Sequence, residues 1–371
     1  MTAGKPLEGL LVVSIEQAVS APMCTSRLAD AGARVIKIER AEGETARHYD
    51  IAVNGTSAYF AWLNRGKQSA VFDLKNAADI QIVKNMLSRA DIFIQNLAPG
   101  AADRLGLSAE SLCETNPSLI TLAIVGYGQD TTYAPMRAYD MLVQAESGLC
   151  SVTGTSEVAC KVGVSAADIA TGINAHAAIL EALLERAITG KGKSIEISMF
   201  DCLAEWMNVP LLHFDHLGKE TLRVGLSHAA IYPYRPFSCS DGVVIVVVQN
   251  PGEWSRLCDL VLHRPELEMD PRFSSNPLRV ENRNALDQEM EPIFAAITCQ
   301  QAVARLDQAN LASAKLCDIK DLSEHPALRR IEAETNGQRF TLAAPPLHPD
   351  LAVTLVPGIG EHTRRVIDEF R

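Results

Sequence analysis

No Cys-x-x-Cys pair occurs among the nine cysteines, which stand at irregular positions from Cys24 to Cys317, so neither zinc-ligand spacing nor a redox motif is present. They read as reduced, mostly buried thiols. A basic excess is missing as well. The formal net charge of -11 argues against broad contact with nucleic acid or an anionic membrane, since either needs a basic surface. Any polyanionic ligand must therefore find a local cluster of Lys and Arg. The longest apolar run, Val243 to Val248, is far short of a membrane span, and Met1-Thr-Ala-Gly-Lys-Pro-Leu7 lacks an apolar signal core. The expected location is the cytoplasm. Internal repeats and low-complexity tracts are absent too. What is there is 371 residues of which 47% are hydrophobic, enough for two domains each with its own core.

The first third reads as α/β. Leu10 to Ile15 is an apolar run fit for a buried parallel strand, a helix-like stretch from Thr25 to Ala31 ends at Gly32, and Val35 to Ile38 is the next strand. Strand, helix and strand with short connections make the right-handed βαβ unit, which binds ligands beyond the C-terminal ends of its strands. Further strands are expected at Ser69 to Leu74, Ile92 to Gln95 and Leu119 to Val125, with a helix over Ala77 to Ser88. The expectation is a Rossmann-like, doubly wound large domain. Yet no Gly-x-Gly-x-x-Gly follows the first strand and Glu39 alone is a weak ribose signal, which excludes a dinucleotide site. Lys37, Arg40, Lys75, Arg104 and Arg137 fall at or near strand ends, where solvated charges ordinarily carry no message.

Further on, apolar residues from Ile169 to Ala187 recur at helical spacing, placing Asp168 at a helix N-terminus. Two readings compete there. Asp168 is either a cap for free backbone N–H groups or a reactive carboxylate held beside the helix dipole. A half-buried strand over Ser194 to Phe200 and a helical stretch from Cys202 to His216 precede the aromatic and Pro-rich loop from Gly225 to Phe237. The domain boundary is placed at that loop. Residues 1–224, completed by 326–371, form the large domain, and residues 225–325 a smaller α+β domain. Near the end a short strand is expected over Gln338 to Leu342, with a last helix from Glu361.

Several stretches taken together resemble family III CoA-transferases. They are Pro6-Leu-Glu-Gly9, Leu28 to Glu39, Asn96-Leu-Ala-Pro-Gly-Ala-Ala-Asp-Arg-Leu-Gly106, Tyr139 to Gly148, Asp168 ahead of Gly172, Thr189-Gly-Lys-Gly192, Asp270-Pro-Arg-Phe273 and Gly360-Glu-His-Thr363. The resemblance implies an interlaced homodimer in which each chain threads through its partner. It implies that Asp168 is the nucleophile, passing through an aspartyl-CoA thioester. It also implies that Arg40, Lys75, Arg104 and Arg137 are a local basic patch for the phosphates of CoA, with Asn96, Leu97 and Val19 lining the same groove. Coenzyme A thioester is then a substrate, and no metal or permanently bound cofactor is needed.

Within that resemblance, a branch similar in fold, the α-methylacyl-CoA racemases, carries Gly-His-Asp where this chain has Ala138-Tyr139-Asp140. The missing His base argues against epimerisation, and Tyr139 is expected beside the transferred acyl group. The glycine-rich loop of formyl-CoA transferase is absent, and Val19 replaces a site Gln. In their place Ser227-His-Ala-Ala-Ile-Tyr-Pro-Tyr-Arg-Pro-Phe237 resembles the loop of transferases acting on dicarboxylates such as itaconate, mesaconate, citramalate or malate with succinyl-CoA. Arg235 or Arg47 would then grip a substrate's second carboxylate and His228 would add a donor. Itaconate is the acceptor this reading favours.

Overall fold

The computed structural model describes residues 4–371. Contacts divide them into two compact units, one built from the segments up to Leu149, Lys161–Val209 and Leu328–Arg371, the other from Cys150–Cys160 and Pro210–Ala327. In the first unit, six short segments form a sheet: β1 (Leu11–Ile15), β2 (Arg34–Glu39), β3 (Gln68–Val71), β4 (Ile92–Gln95), β5 (Ile120–Val125) and β6 (Ser194–Ser198). Their order is β3-β2-β1-β4-β5-β6, and every pair is parallel. This is the doubly wound arrangement, whose strand order reverses between β1 and β4.

The central strands β1, β4 and β5 are largely apolar on both faces because helices cover both. Val12, Ile94 and Leu122 pack against Ala21, Cys24 and Leu28 of α1 (Ser20–Asp30) and against Ala170 and Ile179 of the long helix Ala166–Thr189. Their neighbours Val13, Ile36 and Phe93 face the other way, onto Val83 and Met86 of α3 (Ala77–Leu87) and Val366 and Phe370 of the last helix, Thr363–Phe370. The period-two alternation thus feeds two cores from one set of strands. Between β2 and β3 a further helix, α2 (Ala58–Asn64), was not foreseen from the pattern.

Two helical expectations change in detail. The first helix begins at Ser20 rather than Thr25, because Pro22 sits in its first turn, where a missing N–H is harmless. The stretch expected as one helix from Cys202 to His216 is two, Met199–Trp206 and Asn208–Leu217. Pro210 lacks the N–H that a continuous helix would bond to Trp206, so the chain restarts there.

The second unit has an antiparallel sheet of Tyr234–Cys239, Gly242–Val247 and Ser313–Lys315. Helices close it over Phe237, Val244, Trp254, Met290 and Phe294. Residues 150–160 and 210–224, expected with the large domain, are tied together here. Arg223 donates to the carbonyls of Ser151, Thr155 and Ser156, and the Gly225 N–H donates to the Gly154 carbonyl.

Candidate active site

Strand order reverses between β1 and β4, where sheets of this kind bind ligands, and the chain builds a tight bend at their C-terminal ends. After β1 come Gln17, Ala18 and Val19, and then the first turn of α1. Asn96, directly after β4, clamps this bend: its Oδ1 accepts the Gln17 N–H at 2.9 Å and its Nδ2 donates to the Gln17 carbonyl at 2.9 Å. The same amide lies 3.4 Å from the Ser20 hydroxyl. Asn96, expected in the CoA groove, therefore also shapes the backbone beside it.

Asp168 lies in the first turn of the long helix, not at its cap, which is Ser165. The helix can approach α1 because of Gly172, where a Cβ would stand 2.6 Å from the Ser20 carbonyl oxygen and from Met23 Cβ. That close approach brings the start of α1 to Asp168, where the hydroxyl and backbone N–H of Ser20 favour the charged carboxylate. Burial, and then the charge of Asp140, push the Asp168 carboxyl up from 3.8 to about 6, while the Ser20 hydroxyl and N–H oppose the rise. Asp140 is itself fixed, accepting the Ala167 N–H at 2.8 Å and the Gln144 amide at 2.8 Å.

The result is a carboxylate that stays mostly ionised near neutral pH yet is more basic and less hydrated than a surface aspartate. Such a group is suited to attack on a carbonyl, and the N–H groups that open α1 lie close by. Tyr139 caps the neighbouring helix Asp140–Glu146, and its ring is 67% exposed. An apolar hollow of about 390 Å³ adjoins the start of the long helix Ala166–Thr189, lined by Tyr59, Trp62, Ser165, Ile169, Phe340 and Leu342.

The expected ligand residues sort into two groups. Arg40 follows β2, Lys75 follows β3, Arg104 follows β4 and Arg137 follows β5. All four are exposed, and among the described residues none enters an ion pair. Leu97 lines a second hollow of about 220 Å³ at the ends of β4 and β5, with Gln95, Gly100 and Asp103.

Others are already committed within the protein. Val19 is 3% exposed and packs with Met23 and Leu63, so its side chain offers a ligand no surface. Arg47 holds Glu39 in a bidentate pair at 2.6 and 2.7 Å, donates to the Pro357 carbonyl and stacks 3.7 Å over Phe60. In the second unit Arg235 pairs with Asp287 at 2.6 Å and Glu291 at 3.0 Å. Arg47, closed on buried Glu39, and Arg235, closed on part-buried Asp287 and exposed Glu291, would each have to break those bonds to take another carboxylate. His228, on the surface of that unit, accepts the Ala230 N–H through Nδ1, which leaves Nε2–H as a donor.

Residue patterns alone missed Ser20 and the electrostatic part of Asp140. Only the Ser-Ala-Pro start of a helix hinted at Ser20, because its partner lies far along the chain.

A family model described as CoA-transferase family III matches residues 7–354. The chain is 36% identical over 322 residues to acetyl-CoA:oxalate CoA-transferase of Acetobacter aceti, covering 86% of this chain and 82% of that protein. With succinyl-CoA:glutarate CoA-transferase of Mus musculus it shares 29% over 387 residues, 98% of this chain and 86% of the relative. The crystal structure of a CAIB/BAIF family protein from Brucella suis superposes with a TM-score of 0.85 at 32% identity, covering 100% of both chains.

Proposed function

The chain belongs to CoA-transferase family III and is a CoA-transferase; from that premise we propose that it moves CoA from succinyl-CoA to a dicarboxylate, itaconate first among the candidates, with Asp168 as nucleophile. The observation that carries the reading is the raised, partly desolvated Asp168 carboxyl at the mouth of α1. Names of relatives support the substrate class: each of the two above pairs an acyl-CoA with a dicarboxylate, oxalate or glutarate.

The chemistry balances without a cofactor. An Asp168 oxygen attacks the donor thioester carbon, the carbon–sulfur bond breaks, and CoA thiolate leaves a mixed anhydride. The thiolate then attacks the aspartyl carbonyl, which releases the donor acid as its carboxylate and leaves aspartyl-CoA. An acceptor carboxylate next attacks that thioester to form a second anhydride, and returning thiolate takes the acceptor acyl group and frees Asp168. No proton is gained or lost overall, and the energy of the thioester is kept because water never intervenes. Each tetrahedral intermediate carries an oxyanion that the Ser20 N–H would stabilise.

Arg40, Lys75, Arg104 and Arg137 would hold the phosphates of CoA, with Asn96 and Leu97 along the groove. Tyr139 would lie against the acyl group. Of the side chains expected to meet the acceptor, His228 is carried forward, because Arg47 and Arg235 are engaged elsewhere. We propose a homodimer, threaded as the family resemblance implies, and the exposed Leu211, Leu212 and Phe214 support a covered apolar face. A cytoplasmic location remains part of this proposal; among the described residues no helix is long and apolar enough to cross a membrane.

The test is CoA exchange from succinyl-CoA over a panel of acids. Dicarboxylates of four or five carbons should outpace monocarboxylates by at least about tenfold, or ~1.4 kcal/mol of discrimination. Equal rates would dismiss the dicarboxylate reading, and deuterium entering the carbon beside the thioester would instead favour an epimerase.

A further inference from the structure

Resting on the reading of Asp168 as nucleophile, we propose that Glu44 is a positioning residue: its carboxylate holds the bend Gln17-Ala18-Val19 in the conformation that presents Ser20 to Asp168. Ala18 has φ of +60°, a left-handed setting that a residue with a Cβ adopts only when something compels it. Glu44 Oε2 accepts the Ala18 N–H at 2.7 Å, a short bond from a backbone donor to a charged acceptor. Asn96 fixes the preceding residue through both its N–H and its carbonyl, so the bend is gripped from two sides.

Glu44 is in turn held by a network the reaction does not use. Its Oε1 accepts from Lys37 Nζ at 2.6 Å, and Lys37 also donates to Asn64 at 3.0 Å. Lys67 donates to Glu16 at 2.7 Å and to Asn64 at 3.2 Å. Glu16 accepts from the Thr25 hydroxyl at 2.6 Å, which binds the network to the body of α1. All four charged side chains are buried. Burying two lysines and two glutamates is a poor way to gain stability, since an apolar core of that volume does as well or better. What such a network does supply is one defined geometry, here at both the bend and the helix that carries Ser20.

The test is Glu44→Gln, Ser20→Ala and the double variant Glu44→Gln with Ala18→Gly, with Asp168→Asn beside them. Glu44→Gln should lower kcat by about tenfold or more while KM for the acyl-CoA changes by less than about twofold, because the lost interaction acts on the reacting centre. Its acid limb should move above about 6, since a displaced Ser20 no longer favours the charged Asp168 carboxylate. Glycine at position 18 adopts the bend freely and should restore part of kcat in the double variant. A folded Glu44→Gln protein with wild-type kcat and acid limb overturns the proposal, as does a loss confined to KM. Should Glu44→Gln not fold, Ser20→Ala decides: unchanged kcat and acid limb overturn the proposal, and a lowered kcat with a raised limb supports it. Full turnover by Asp168→Asn would instead sink the nucleophile reading itself.

Discussion

Lys37 and Arg40 belong to the same strand end, yet one is wholly buried on Glu44, Glu16 and Asn64 and the other is exposed, with no ion pair among the described residues. The contrast runs through the whole C-terminal edge of the sheet. Inside it, Lys37 and Lys67 sit among Glu16, Glu44 and Asn64, with Lys67 lowered to about 8 by burial even though Glu16 opposes the shift. Outside it, Arg40, Lys75, Arg104 and Arg137 are exposed and, among the described residues, enter no ion pair. A buried charge must find its partner within the protein, so it fixes backbone; an exposed one costs little to hold and remains available to a ligand.

The largest effect that sharpens this contrast is on stability. Lys37→Met leaves Glu44 short of its main cation and should lower unfolding free energy by about 3–5 kcal/mol, read from urea midpoints. Arg104→Ala should leave that midpoint within the range of about 0.5 kcal/mol typical of surface changes. It should instead raise KM for acyl-CoA by about tenfold at low salt, less at high salt. If the two variants exchanged phenotypes, the division between inner and outer cations would be broken.

A smaller effect concerns pH. Activity should fall as pH drops through about 6, where Asp168 gains its proton. Stability runs the other way: between 3.8 and about 6 the folded state holds this proton more tightly than the unfolded chain, so the group stabilises on the acid side and that contribution is lost as pH rises through the window. Asp140→Asn removes the charge that helps lift Asp168, and its acid limb should move below that of the wild type. A limb left in place would mean that burial alone sets it. Smallest of all, His228→Ala should raise KM for a dicarboxylate acceptor by a few fold at most, as loss of a single exposed donor does, and leave KM for succinyl-CoA unchanged.

Much of the architecture was legible because parallel strands buried on both faces are short apolar runs, and β1, β2 and β4 read as such to within a residue or two. Asp168 was legible from the helix period that follows it. The inner cations were not: Lys37 in Val-Ile-Lys-Ile looks like any surface lysine at a strand end, and nothing local reveals that Glu44 turns back onto it. The carboxylate partners of Arg47 and Arg235 were hidden for the same reason, being set by the fold rather than by spacing. Ser20 and Asp168 meet only because Gly172 lets two helices touch, a contact no sequence window contains.

The most direct measurement is a peptide mass map of the enzyme quenched during turnover with succinyl-CoA. The account predicts a CoA thioester on the peptide that contains Asp168, lost when an acceptor dicarboxylate is added. An adduct on another residue, or turnover with Asp168 never modified, would contradict it.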